Sequence, residues 1–129
     1  MKTASLIVMR LLLAGMALSS LSVQAQQAAV ETAGLALIAE LGQLNGAALA
    51  CSEKPAAQRA KMLMLAYAPK TQRYGETYEQ ATQQGFLART QERAPCLPPR
   101  ELERDIESIA DRLHAMFPPA PVLKPAVAQ

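Results

Sequence analysis

The strongest pattern of apolar and polar positions lies near the end of the chain. Large apolar residues recur there in steps of four and three, at Leu102, Ile106, Ile109, Leu113 and Met116. These steps place them on one face of an α-helix, and charged residues occupy the other faces. Two prolines precede this stretch at 98–99 and two follow it at 118–119. The pattern therefore predicts a helix bounded by prolines.

A second helical pattern covers residues 27–50. Its apolar face carries Val30, Leu37, Leu41, Leu44 and Ala48, with Leu35, Ile38 and Leu49 beside them, and the pattern ends at Cys51. A separate row of small residues, Gly42, Gly46 and Ala50, recurs every four positions. In lipid such a row favours helix dimers. In water it predicts tight packing against another helix of the same molecule.

Two further helices are predicted between these two. One follows Ser52, which we expect to cap it, and runs to about Ala68. Its buried residues are expected to be Ala60, Leu63, Met64 and Tyr67. The next covers about Lys70 to Arg89, with an apolar stripe at Tyr74, Tyr78, Ala81, Gly85 and Phe86. No segment alternates like a half-buried strand, so we expect an all-α protein, a small four-helix bundle stapled by one disulfide.

The first 25 residues have the features of a cleaved secretory signal peptide. Lys2 and Arg10 are basic, an apolar run follows at 11–21, and the small residues of Val23-Gln24-Ala25 suit a cleavage site. An uncleaved membrane anchor over residues 5–23 is the alternative, which Arg10 disfavours. We expect no other segment to cross a membrane and no stable anchor after cleavage. The predicted organisation is a signal peptide at 1–25, a helical domain at 26–117 and a flexible Pro-rich tail at 118–129.

Cys51 and Cys96 are the two cysteines of the chain. In an exported protein two cysteines pair by default, because oxidising compartments remove free thiols. Closing a loop of about 46 residues would stabilise the fold by roughly 4 kcal/mol. A zinc site would need about four ligands, and no paired Cys or His motif supplies them. The sequence therefore predicts a structural Cys51–Cys96 disulfide and no metal site.

Charge and motifs exclude several function classes. The net charge of +2 comes from 13 basic and 11 acidic residues, and loss of Lys2 and Arg10 with the signal peptide would leave the domain near neutral. Nucleic-acid binding is not expected without a basic face. The single imidazole is His114, and no nucleophile, phosphate-loop or dinucleotide motif accompanies it. We expect neither a catalytic site nor a cofactor.

The densest polar stretch, residues 70–84, contains the candidate binding residues. They are Lys70, Arg73, Tyr74 and Tyr78. Tyrosine and arginine are enriched in the residues that dominate protein interfaces, so these four form a candidate partner-binding surface. The alternative is a solvated helix whose tyrosines point into the core. Glu76 and Glu79 share one helix, so no cleft separates them as glycoside hydrolysis requires.

We therefore expect a non-catalytic protein of the bacterial periplasm that binds another protein, in an accessory, chaperone-like or inhibitory (immunity) role. In size and cysteine number the chain is similar to small periplasmic acid-stress chaperones and to some immunity proteins. This resemblance includes no shared motif, so it assigns no residue a role. The alternative function is a periplasmic carrier of a small apolar ligand. An enzyme is the least favoured class.

Overall fold

The computed structural model describes the backbone of residues 4–118 and the side chains of residues 22–118. It contains four helices, which are α1 (Ala4–Ala50), α2 (Lys54–Tyr67), α3 (Gln72–Thr90) and α4 (Pro99–Met116). The part of the chain so described has no β-strand. The prediction of an all-helical protein with four helices and one disulfide is confirmed.

The chain divides into two units, residues 1–33 and residues 34–129. In the first unit α1 is already helical from Ala4, which is compatible with the apolar segment of a signal peptide. Side chains 1–21 of the predicted signal peptide and residues 119–129 of the predicted tail lie outside the described residues. Val30, expected on the buried face, is 54% exposed, so that part of the prediction is wrong.

The core of the second unit joins α1 to α2 and α4. Its largest fully buried side chains are Leu37, Ile38, Leu41, Leu63, Leu102, Ile106 and Leu113. The stripe predicted on α4 is buried as far as Leu113, and Met116 packs against the core at its edge. Burial of one such leucine or isoleucine side chain stabilises the fold by about 1.5–3 kcal/mol. These helices therefore supply most of the hydrophobic stabilisation.

Two bidentate ion pairs connect the helices of this core at the surface. Arg59 on α2 pairs with Glu107 on α4 at 2.6 Å, and Arg112 on α4 pairs with Glu40 on α1 at 2.6 Å. Hydrogen bonds from Arg59 lower the pKa of the Glu107 carboxyl. Exposed pairs of this kind contribute only about 0.2–1 kcal/mol each. Their contribution to stability is therefore small beside that of the buried side chains.

The predicted disulfide is present. Cys51 and Cys96 are joined, with their Cα atoms 5.9 Å apart. Cys51 directly follows α1, and Cys96 lies in the connector before α4. The bond therefore ties the end of the first helix to the segment that leads into the last one.

Backbone hydrogen bonds cap the C-terminal end of α1. This finding corrects the prediction that Ser52 caps the next helix. Ser52 has a left-handed φ of 63°. The backbone N–H of Glu53 donates to the carbonyl of Ala48 at 2.8 Å, and that of Ser52 to Leu49 at 3.3 Å. This pair of bonds is the Schellman motif, which places its left-handed residue just past the helix. Ser52 thus ends α1, and the N-cap of α2 is Glu53 without a side-chain bond.

Helix α3 packs on α1 through the predicted row of small residues. A Cβ atom added at Gly42 would lie 2.6 Å from the Tyr78 carbonyl oxygen, and one added at Gly46 would lie 2.6 Å from the Phe86 nitrogen. Real Cβ atoms essentially never come so close to other heavy atoms. Gly85 of α3 faces the Gln43 backbone in the same way. The interpretation as tight packing within the molecule is therefore confirmed.

One helical segment, Ser22–Ala50, has the length and apolar composition of a membrane span. This finding corrects the expectation that no segment beyond the N-terminal one has these properties. Half of its most apolar window is buried within the protein, and Leu37, Ile38 and Leu41 belong to the core. Its apolar composition is therefore accounted for, at least in part, by packing against the other helices.

Gly46→Ala tests the contact between α1 and α3. Alanine favours a helix over glycine by about 1 kcal/mol, but its methyl group would meet backbone atoms of Thr82 and Phe86 that cannot move cheaply. We expect the overpacking to dominate and to lower the free energy of unfolding by about 1–3 kcal/mol. Urea denaturation followed by circular dichroism measures this change.

Gly75→Ala is the matched control. Gly75 also lies within a helix, but an added Cβ would meet nothing within 4 Å. It should therefore raise the free energy of unfolding by up to about 1 kcal/mol. Stabilisation by both substitutions would show that α1 and α3 are not in backbone contact.

Candidate functional site

An open groove of about 350 Å³ runs beside the contact between α1 and α3. Its lining residues are Asn45, Leu49, Tyr78, Glu79, Thr82, Gln83 and Phe86. The surface that these residues expose is predominantly apolar. We call this feature the α1–α3 groove. It lies within the second unit of the chain.

The groove follows from the close approach of the two helices. Because their backbones meet at Gly42 and Gly46, large side chains cannot interleave between them and remain on the flank. Leu49 is 51% exposed and Phe86 is 40% exposed. Both residues were expected near the apolar faces of their helices, and for Leu49 the expected burial is wrong. The flank thus presents two large apolar side chains to solvent.

A polar contact fixes the base of the groove. Asn45, which is 8% exposed, donates a hydrogen bond from Nδ2 to Oγ1 of Thr82 at 3.2 Å. This is a bond between side chains of α1 and α3, in addition to their backbone contact. A buried amide without partners would cost about 1–3 kcal/mol. The bond therefore helps to hold the two walls of the groove in register.

Tyr78 contributes a buried hydroxyl to the same region. Its Oη atom is inaccessible to solvent and has no hydrogen-bond partner among the described residues. Burial raises the pKa of Tyr78 to about 12. The hydroxyl is therefore protonated at neutral pH and keeps an unused capacity to donate one hydrogen bond.

The four sequence-predicted binding residues do not share one environment. Tyr78 lines the groove. Tyr74 is 5% exposed and packs edge-on against Phe117, with ring centroids 5.9 Å apart. Arg73 is exposed, and Lys70, also exposed, donates from Nζ to the Leu65 carbonyl. The alternative interpretation, a tyrosine pointing into the core, therefore describes Tyr74.

Sequence reasoning did not assemble the groove, although part of its signal is visible in the chain. Tyr78, Thr82 and Phe86 recur every four residues and so lie next to one another along α3. The small-residue row on α1 indicates which helix face approaches it. Periodicity alone does not tell whether an apolar residue beside a close contact is buried or left on its flank. That distinction needs the packing of both helices.

The chemistry available in the groove is that of binding. Its walls offer the Leu49 and Phe86 side chains for apolar contact and the Glu79 carboxylate as a charge. His114 lies elsewhere, edge-on to Tyr67 at 5.9 Å between ring centroids. Within residues 22–118, no three His, Cys, Asp or Glu side chains come together as a metal site would require.

Tyr78→Phe tests the unpartnered hydroxyl. Removal of a buried polar group that has no partner should leave the free energy of unfolding unchanged or raise it by up to about 1 kcal/mol. Tyr78→Ala, which also removes the packed ring, should lower it by about 2 kcal/mol or more. Chemical denaturation at neutral pH compares the two. A loss of more than about 1 kcal/mol in Tyr78→Phe would reveal a hydrogen bond and refute the assignment.

The raised pKa adds a pH dependence to this test. A tyrosine whose pKa is higher in the folded state stabilises the fold below its unfolded pKa of about 10 and loses that contribution as pH rises through its folded pKa. In the folded protein this value is about 12. The wild-type protein should therefore lose stability between these two values more steeply than Tyr78→Phe does.

No family model, no curated protein and no solved structure matches this chain. What the protein does is therefore inferred from the contacts, burial and charges of its own residues.

Proposed function

We propose that this is a non-catalytic exported protein that binds another protein through the α1–α3 groove. The observation that carries the proposal is the exposure of Leu49 and Phe86 beside a fixed helix–helix contact. Apolar side chains clustered in a concave surface favour a binding site over plain solvent exposure. Of the four candidate binding residues predicted from the sequence, the proposal keeps Tyr78, which lines the groove. The other three, Lys70, Arg73 and Tyr74, do not line it.

The groove favours a partner with a short apolar segment and an adjacent basic residue. Phe86 and Tyr78 offer aromatic surface, which is enriched among the residues that dominate interface energies. Glu79 at the groove supplies negative charge, and Glu76 is exposed one turn before it. Gln83, which is exposed, would lie at a polar rim.

The disulfide and the N-terminal segment support the proposed export. A Cys51–Cys96 bond persists in an oxidising compartment, and the apolar helix that begins at Ala4 is compatible with a signal peptide. Both features are consistent with export. We place the protein in the bacterial periplasm, in an accessory, chaperone-like or inhibitory role, after cleavage of residues 1–25.

A carrier of a small apolar ligand is the second candidate function. The groove volume of about 350 Å³ favours it, since small-molecule sites usually measure about 300–1,000 Å³. The groove is open, however, and small-molecule sites generally enclose most of their ligand. Native mass spectrometry of gently purified protein separates the two candidates, because a carrier would retain a stoichiometric small molecule.

A site-specific cross-link followed by affinity measurement tests the proposal. A photoreactive amino acid at position 86 should capture a protein partner in the exported compartment, and the same group at position 62 should not. The captured partner is then purified. Its affinity is measured for the wild type, Phe86→Ala and Leu49→Ala.

Met62→Ala is the matched control, because Met62 is an apolar residue of similar exposure (55%) on another helix. Loss of a central interface residue costs more than about 1 kcal/mol, so Phe86→Ala should weaken binding at least fivefold. Met62→Ala should change it less than twofold. Equal effects of both substitutions would contradict the groove as the binding surface.

A further inference from the structure

Phe117, the residue that follows α4, lies at one end of the helix face that leads to the groove. Its ring packs against Tyr74, and a Cβ atom added at Gly34 would lie 2.6 Å from that ring. On α1, residues 34, 38, 45 and 49 are spaced by four, seven and four positions and therefore share one face. The chain thus leaves α4 on the same side of α1 as the groove.

Because Phe117 packs against Tyr74, the position of Tyr74 on α3 gives the direction and the distance over which the chain after Phe117 must extend to reach the groove. Tyr74, Tyr78, Thr82 and Phe86 follow one another in steps of four along α3, and each is turned by about 40° from the one before. Along the helix axis Tyr78 lies about 6 Å from Tyr74, and Phe86 lies about 18 Å from it. An extended Pro-rich segment advances about 3.1 Å per residue. Five or six extended residues after Phe117 would span about 15–19 Å, which is the distance needed for Val122 and Leu123 to reach the groove.

The chemistry of residues 118–129 complements that of the groove. Their sequence is PPAPVLKPAVAQ, with apolar side chains at Val122, Leu123 and Val127 and one charge, at Lys124. Pro-rich extended segments bind aromatic-lined grooves, because little conformational entropy is lost.

We propose that residues 119–129 dock into the α1–α3 groove of their own molecule and cover the surface that a protein partner would use. The inference extends the proposed function, since it assigns that same groove an internal competitor. A tethered segment experiences an effective concentration on the order of millimolar. The free segment therefore needs a dissociation constant no weaker than about 1 mM for the groove to be covered at least half of the time.

Backbone amide NMR spectra of the full chain and of a chain ended at Pro118 test this proposal. Removal of residues 119–129 should shift the amide signals of Leu49, Thr82 and Phe86. The amides of Met62 and Leu65, exposed on α2, should not move. A synthetic peptide of residues 118–129, added to the shortened chain, should reverse the shifts with a dissociation constant of about 1 mM or tighter.

Leu123→Asp in the full chain is the matched point variant, with Leu65→Asp, at an exposed apolar position of α2 outside the groove, as its charge control. Leu123→Asp should reproduce the shifts of the shortened chain, and Leu65→Asp should leave the groove signals as they are in the wild type. Identical groove signals in the full and shortened chains would overturn the proposal. Shifts that disappear on dilution would also overturn it, because they would assign the groove to the tail of a second copy.

The two proposals fail independently in this design, because the NMR comparison needs no partner. Once a partner has been identified, the chain ended at Pro118 should bind it at least twofold more tightly than the full chain does. Equal affinities would overturn the proposal that residues 119–129 compete for the groove, but would leave the proposed binding function intact. Tail-dependent groove shifts in a protein that captures no partner would support tail docking and refute the binding function.

Discussion

The backbone contact between α1 and α3 is the constraint on which the rest of this structure depends. Gly42 and Gly46 on one helix and Gly85 on the other bring main-chain atoms so close that any added Cβ atom would collide. Such an approach leaves no room for side chains in the contact itself. The larger residues of both helices are displaced to its flank, where Leu49 and Phe86 remain exposed. The groove is thus a geometric consequence of the glycines.

The remaining three-helix core supplies the rigidity that this arrangement needs. Apolar side chains of α1, α2 and α4 fill the interior, whereas α3 contributes only Tyr74 and Ala81 as buried residues. Helix α3 is therefore held by its close backbone contact with α1, by the Asn45–Thr82 hydrogen bond and by the buried ring of Tyr74. The Cys51–Cys96 bond links the end of α1 to the segment before α4. A groove that forms between well-anchored walls can bind without first ordering them.

The sequence predicted the fold class far better than the candidate site. The four-and-three spacing on α4, the two cysteines and the row of small residues each depend on local geometry that a helix repeats reliably. Tyr74 and Leu49 show why the site was harder. Both lie on apolar stripes, yet Tyr74 is buried and Leu49 is exposed, because burial depends on what packs opposite. Ser52 illustrates the same limit, since the closure of α1 overrode its capping preference.

The most direct test of this account is the distance between the two backbones, measured by nuclear Overhauser effects in the folded protein. If α1 and α3 meet as described, the Hα protons of Gly46 will show strong cross-peaks to the amide proton of Phe86, and those of Gly42 will show cross-peaks to Thr82. Absence of both sets, with the core contacts of α4 intact, would mean that a layer of side chains separates the helices. The groove and everything proposed for it would then have no structural basis.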